Sequence, residues 1–320
     1  MKAGLFFDLR KPPGADSSWA RTYGFTLEVC EEAEILGAAS VWLSEHHLFA
    51  DGYLPQPLTF AAAVAARTRT LRIGTAVLLA ALRHPVHLAE EAAVVDLISG
   101  GRLDLGLGAG YLRQEFDLFG SDLRDRFELT DRRIGELRDI WAAGEVTPRP
   151  VQDPVPLWLG YTGPRGAWRA GRLGTGLLSA DPDLAEPYLD GLRAGGHDPD
   201  TARMAGHVPV FVSEDPERDW PAVARYHAYQ WDSYLAAAAA PGQSSPPPVD
   251  ADRMRRRGLS WRPGSLLYGT PEDVAATLRD RLAGAPVETV FLWASVGGMA
   301  EEHVLRNVRT IATRLAPLLA

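Results

Sequence analysis

Cysteine is almost absent. Cys30 is the only one in the 320-residue chain, so no disulfide can form within it, and its place in a helical segment makes it a small core hydrophobe. Long apolar runs are missing too, and none approaches the roughly 20 residues that a membrane-spanning helix needs. The apolar part of the opening MKAGLFFDLRKPPG is too short for a secretory signal, so a soluble, cytoplasmic protein is expected. There is no long basic run, and the formal charge of −8 is spread along the chain. Nucleic acid and anionic membranes are therefore not expected partners. No P-loop and no Gly-x-Ser-x-Gly elbow occurs. No shift of composition marks a domain boundary, and 46% hydrophobic residues suffice for a large core.

The most informative stretch spans residues 71–116, LRIGTAVLLAALRHPVHLAEEAAVVDLISGGRLDLGLGAGYLRQEF. Residues 71–76 are short, apolar and bounded by turn residues, as a buried strand is. Residues 86–99 space Val86, Ala89, Ala93, Val94 and Leu97 as a helix does, and Gly100-Gly101 ends it. Residues 103–107 form the next strand, which completes a βαβ unit with a right-handed crossover.

Elsewhere the pattern predicts strands at 3–7, 40–43, 156–159, 175–178, 207–212 and 288–293. Helices are predicted at 23–36, 58–68, 130–143, 164–173, 183–193, 216–240 and 301–319. One more opens at Thr270, with Thr as N-cap, Pro271 at the first position and Glu272 and Asp273 in the first turn. The Gln243 to Asp250 segment, with its SSPPP run, cannot be regular and reads as a mobile surface loop. Eight strands each followed by a helix make an α/β (β/α)8 TIM barrel. We expect one domain over residues 1–320, with an insertion before the last helix–strand unit.

In such a barrel the C-terminal strand ends build the site. They carry Asp8, Glu45-His46-His47, Ala76-Val77, Gly108 to Tyr111, Tyr161-Thr162, Ser179 and Ala294-Ser295. By position alone a histidine of that triplet is a general base, a metal ligand or a structural donor. A metal centre is not expected: metal-dependent barrel hydrolases place His-x-His on the first strand, where this chain has Leu5-Phe6-Phe7-Asp8. His84 and His87 flank Pro85 at a helix start and read as structural. Gly106-x-Gly108-x-Gly110 lacks the spacing of a dinucleotide fingerprint, and we read it as glycines letting a strand pass close to a flat ligand. Residues 157–165, LWLGYTGPR, run from strand through a small-residue turn into a helix start. That is either an ordinary capping turn or a phosphate seat.

Read together, these motifs resemble the bacterial luciferase-like flavin monooxygenases. The resemblance rests on Gly74-Thr75-Ala76, His84-Pro85, Ala89-Glu90, Asp96, Ser99-Gly100-Gly101-Arg102, Gly106-x-Gly108 and Glu115-Phe116. Glu45-His46-His47, Phe119-Gly120-Ser121-Asp122 and Val155-Pro156-Leu157-Trp158 extend it. Trp231-Asp232-Ser233-Tyr234 and Tyr268-Gly269-Thr270-Pro271 look like the luciferase catalytic subunit.

The resemblance implies catalysis by His46, acting near the flavin C4a, with Glu45 as the acid beside the ring. It implies a non-prolyl cis peptide at Ala76-Val77 under the flavin, and a phosphate held by Tyr161, Thr162, Arg165 and Arg126. Tyr111 is expected at the cofactor, and with Trp293 it is compatible with a bulky natural-product substrate. The implied cofactor is FMN, used as FMNH2 with O2 through a C4a-peroxyflavin, and one oxygen atom enters an organic small molecule.

With no nicotinamide motif present, a flavin reductase or NAD(P)H using the same cleft is expected to supply the reduced flavin. A homodimer is expected, because the Ala-rich segment 58–68 has few charges on any face and the family pairs barrels through this region. Gly108 and Ala109 stand where the luciferase pattern has cysteine and arginine, and the stretch between Trp231 and Tyr268 departs from its mobile lid. Light emission is therefore not implied. Two further readings stay open: an F420-dependent oxidoreductase on the same fold, and a non-catalytic flavin-binding protein.

Overall fold

Eight parallel strands close on themselves in a computed structural model that describes residues 1–144, 146–239, 246–261 and 264–320. They are β1 (Lys2–Phe7), β2 (Ser40–Leu43), β3 (Arg72–Thr75), β4 (Leu103–Gly108), β5 (Leu157–Leu159), β6 (Gly176–Leu178), β7 (Met204–His207) and β8 (Val287–Trp293). Each pairs with the next in the chain, and β8 returns to β1 through registers such as Phe6 with Trp293. The chain folds as a TIM barrel. β2 and β4 are buried along their whole length, because one face looks into the barrel and the other is covered by helices.

The alternation along each strand sorts two cores. Val41, Leu43, Val290 and Leu292 join the layer beneath the helices, while Phe6, Trp42, Trp158, Phe291 and Trp293 fill the barrel. Trp42 stacks on Phe291 with centroids 4.8 Å apart and meets Trp158 edge-on at 6.1 Å. Cys30 is a buried free thiol in the outer layer, and burial pushes it up to about 12.

The helices that matter for the site are α1 (Trp19–Ile35), α2 (Pro57–Arg67), α3 (Pro85–Ser99), α4 (Arg113–Leu118), α5 (Arg126–Ala143), α6 (Gly163–Arg172) and α7 (Ala185–Ala194). α8 (Pro216–Ala238) and α9 (Ala251–Arg257) lie in the insertion, and α10 (Pro271–Arg281) and α11 (Glu301–Thr310) follow. Thr270 caps α10 by accepting the Asp273 N–H, as its position predicts. Gly100 and Gly144 end α3 and α5 in the left-handed conformation that a residue with a Cβ rarely adopts.

Several expectations need correction. The seventh barrel strand is Met204–His207, and Val210–Val212 instead pairs with Leu267–Gly269 in a separate two-stranded parallel sheet. Pro209 breaks the predicted 207–212 run, because it has no N–H to donate to the ladder. The buried face of α3 is Leu88, Ala89, Ala92, Ala93 and Val95, so Val86, Val94, Leu97 and Ile98 are exposed. α2 buries its large apolar residues Leu58, Phe60 and Val64, so the large exposed apolar side chains of this region belong to α3. The closing helix is interrupted by a π turn at Ile311–Leu315. The sequence pattern predicts neither α4 nor α9. Of the Gln243 to Asp250 loop, residues 246–250 have no regular structure, and 243–245 lie outside the described residues. No described helix is long and apolar enough to cross a membrane.

Candidate active site

A cavity of about 410 Å³ opens at the C-terminal mouth of the barrel. Glu45, His46, Ala76, Val77, Tyr111, Arg126, Tyr161 and Thr162 all line it, although they come from four separate connections between barrel strands. Arg165 does not line it, and is exposed on the first turn of α6. The Ala76–Val77 peptide is cis.

His46 and His47 follow β2 and point to opposite sides. The His46 ring is packed by Phe49, Tyr53 and Tyr111 at centroid distances of 4.9, 4.8 and 5.3 Å. Its Nδ1 lies 2.8 Å from Oε1 of Glu115, and that oxygen also accepts the His47 backbone N–H at 2.7 Å. A carboxylate oxygen only accepts, so Nδ1 carries the hydrogen. In the neutral ring Nε2 then presents a lone pair, with the Tyr111 hydroxyl 3.4 Å away. His47 turns to Glu45, its Nε2 2.9 Å from Oε1, and packs on Phe119.

The carboxylate that orients His46 is thus Glu115 and not its neighbour Glu45. Glu45 accepts the Leu79 N–H at 2.9 Å and an Arg83 N–H at 3.0 Å, which fastens the loop after β3 to the loop after β2. Glu115 is fully buried on α4. Its only sequence signal is the Glu115-Phe116 pair that closes the 71–116 stretch, with nothing to show that it meets His46, 69 residues away.

The glycines of β4 serve a different purpose from the expected one. A Cβ at Gly106 would stand 1.9 Å from the Thr75 carbonyl oxygen, and one at Gly108 would stand 2.2 Å from Val77 Cγ2. They make room for the Thr75–Val77 segment, not directly for a ligand. Thr75 locks the same contact, its hydroxyl donating to the Gly106 carbonyl at 2.7 Å and accepting the Gly106 N–H at 2.9 Å.

α8 closes one side of the cavity. Its Tyr234 hydroxyl lies 2.9 Å from that of Tyr53, which donates to Ser44 at 2.7 Å. Below them Arg10 is buried, bonded to Asp8 at 2.7 Å with its guanidinium 4.1 Å from the Tyr234 ring centroid. Gln230 donates to Asp8 at 3.0 Å and Ser233 to Asp51 at 2.7 Å, so this charged cluster clamps α8 onto the β1 and β2 loops. Burial pushes the Tyr53 and Tyr234 phenols above their ordinary range, so both remain protonated at neutral pH. Asp8 therefore serves the clamp, and Ser179 caps its own turn by accepting the Asp181 N–H.

At the other end of the cavity, Tyr161 is tied to α5, its hydroxyl 2.9 Å from Asp131 and 3.2 Å from the Phe127 carbonyl. Arg126 donates through Nη1 to the Leu123 carbonyl at 2.8 Å, while its Nε is buried with no partner among the described residues. Thr162 is the N-cap of α6 but makes no side-chain cap bond. Arg126 and Thr162 line the same cavity, and an unpaired guanidinium nitrogen and free helix N–H groups are donors that a phosphate can use. The donor set fits a phosphate-bearing flavin, whose phosphate Arg126, Thr162 and the α6 N–H groups would hold in the cavity that Ala76, Val77 and His46 also line. Among the described residues no group of three or more His, Cys, Asp or Glu could hold a metal ion.

Residues 1–289 match the sequence model of the luciferase-like monooxygenases. The chain is 33% identical, over 52% of its length and 56% of the relative's, to an F420-dependent glucose-6-phosphate dehydrogenase of Amycolatopsis mediterranei. It is 30% identical, over 51% of its length and 50% of the relative's, to the oxygenase component of a flavin-dependent trigonelline monooxygenase of Acinetobacter baylyi. The chain thus spans about half the length of these curated relatives. The crystal structure of the monooxygenase RslO1 from Streptomyces bottropensis superposes with a TM-score of 0.85 at 26% identity, covering all of both chains.

Proposed function

Since the chain belongs to the luciferase-like monooxygenase family, we propose that it is the oxygenase of a two-component system, using reduced FMN and O2 to insert one oxygen atom into an organic small molecule. The observation that carries the reading is the convergence in one cavity of His46, oriented by Glu115, with the unpaired Arg126 Nε and the uncapped start of α6. Reduced flavin, when bound, supplies the two electrons by which one oxygen atom enters the substrate and the other leaves as water.

Arg126, Thr162 and the α6 N–H groups hold the phosphate. Phe6, Tyr111 and Tyr234 wall the cavity and limit water there. His46, with a hydrogen on Nδ1 toward Glu115, takes a proton at Nε2 and returns it, while Glu115 stabilises the imidazolium in between. The relative named as an oxygenase component supports a separate reductase as the electron source.

A second reading, hydride transfer by reduced F420, is favoured by the Amycolatopsis relative. The two separate in one experiment. The protein is mixed with photoreduced FMN, or with reduced F420, and a panel of candidate substrates under 18O2. Product carrying one 18O with FMN supports the oxygenase. Reduction of substrate by reduced F420 without O2 sinks it. Reduced FMN should also bind more tightly than oxidised FMN, because an oxygenase supplied by a separate reductase takes up its flavin in the reduced form. Equilibrium dialysis showing the reverse counts against the two-component scheme.

A further inference from the structure

A second chamber of about 520 Å³, large enough for a drug-sized ligand, lies beside the first and shares Phe6, Tyr111 and Tyr234 with it. Trp231, Trp261 and Trp293 form much of its remaining wall, and none of its lining residues is Asp, Glu, Lys or Arg. Three polar atoms in this apolar wall are buried with no hydrogen-bond partner among the described residues: Nε2 of His207, Nε2 of His227 and Nε1 of Trp261. His207 ends β7, between Phe6 and Trp293 at centroid distances of 5.3 and 5.1 Å. His227 comes from α8, is 3% exposed and meets Phe211 edge-on at 5.2 Å.

An orphan polar atom in such a wall costs the folded state unless a ligand or water supplies the missing bond. Burial holds the His207 imidazole down at about 3 and the His227 imidazole at about 4, so both rings are neutral at physiological pH. A neutral imidazole offers one donor and one acceptor and can exchange them between its nitrogens. The indole N–H only donates. A hydroxyl gives one hydrogen and accepts others, so it matches either tautomer and the indole as well. An anion would enter a chamber without a cation, and a hydrocarbon would leave all three atoms unpaired.

We infer that this chamber seats the compound to be oxygenated, and that it selects an uncharged, flat aromatic molecule bearing a ring hydroxyl, held by His207, His227 and Trp261. That the ligand is the oxygenation substrate rests on the proposed function; the binding selectivity does not.

The test uses the full protein without flavin, in equilibrium dialysis against 2-naphthol, naphthalene and 2-naphthoate. 2-Naphthol should bind about tenfold more tightly than naphthalene, and 2-naphthoate more weakly than 2-naphthol by at least as much. In His207→Phe and His227→Phe, naphthalene binding should persist while the naphthol preference falls toward one. Failure of 2-naphthol to bind, equal affinities for the three probes in the unaltered protein, or a naphthol preference that survives both substitutions overturns the inference. The probe series in the unaltered protein decides even if a variant does not fold. FMN affinity is measured on the same samples. Naphthol selectivity without FMN binding defeats the proposed function alone, and the opposite pattern defeats the chamber alone.

Discussion

Glu115 holds His46 from beneath: one carboxylate oxygen lies 2.8 Å from the His46 Nδ1 and 2.7 Å from the His47 backbone nitrogen. One buried acceptor therefore sets both the ring tautomer and the path of the loop that carries the ring. The arrangement leaves Nε2 as the only ring nitrogen of His46 that can exchange a proton with the cavity.

His46→Ala should leave folding and FMN binding intact and lower product per reduced flavin by about 10²–10⁴-fold. The lost turnover should reappear as released peroxide. His47→Ala is the control, because its ring turns to Glu45 and Phe119, and it should be the milder change. Unchanged coupling in His46→Ala would refute the catalytic assignment.

Glu115→Ala removes the acceptor from two buried donors at once. Urea denaturation should show a loss of about 1–3 kcal/mol, and coupling should fall as in His46→Ala. Glu115→Gln keeps an acceptor oxygen and should retain most of the stability while still losing coupling. Equal stability of Glu115→Ala and the unaltered protein would show that the contact contributes nothing.

Arg126→Ala should weaken FMN binding by about 10–100-fold, the usual size of one charge-assisted bond. Riboflavin, which lacks the phosphate, should bind both proteins alike. Flavin fluorescence quenching measures both constants, and a parallel loss for the two ligands would place Arg126 away from the phosphate.

Gly108→Ala forces a Cβ to within 2.2 Å of Val77 Cγ2. Overpacking of this kind costs about 1–3 kcal/mol, and FMN affinity should fall as the floor of the cavity shifts. Adding Val77→Ala removes the clashing methyl groups and should recover part of both losses. Additive losses in the double variant would dismiss the steric account.

A homodimer through α3 is expected, because Val86, Val94, Leu97 and Ile98 are 38%, 46%, 37% and 46% exposed on that helix. Sedimentation equilibrium at micromolar concentration should return twice the chain mass. Leu97→Asp together with Ile98→Asp should return the mass of one chain. A monomeric mass for the unaltered protein ends the dimer proposal.

The barrel was legible in the chain because its signals are local. Short apolar strands, helices at 3.6-residue spacing and glycine stops repeat in order, and a capping Thr270 fixes one helix start without help from the rest of the fold. The family resemblance pointed to the strand-end triplet, the cis Ala76–Val77 bond and Arg126; the bond is cis, and Glu45, His46, Ala76, Val77 and Arg126 line one cavity.

What periodicity alone could not decide was facing and pairing. Val94 and Leu97 have the spacing of a core stripe, yet the neighbouring stripe of α3 is the one that meets α2, so they face out. Residues 210–212 look like barrel strand, but their partner is Leu267–Gly269, supplied by the far end of the insertion. The roles of Glu115, His207 and His227 belong wholly to the tertiary structure. A carboxylate on one helix and imidazoles on a strand and another helix acquire their chemistry only when closure of the barrel buries them beside partners, or beside none. The sequence determined which groups the chain carries and which local elements hold them. Burial, which removes water as an alternative partner, decided what each of those groups can do.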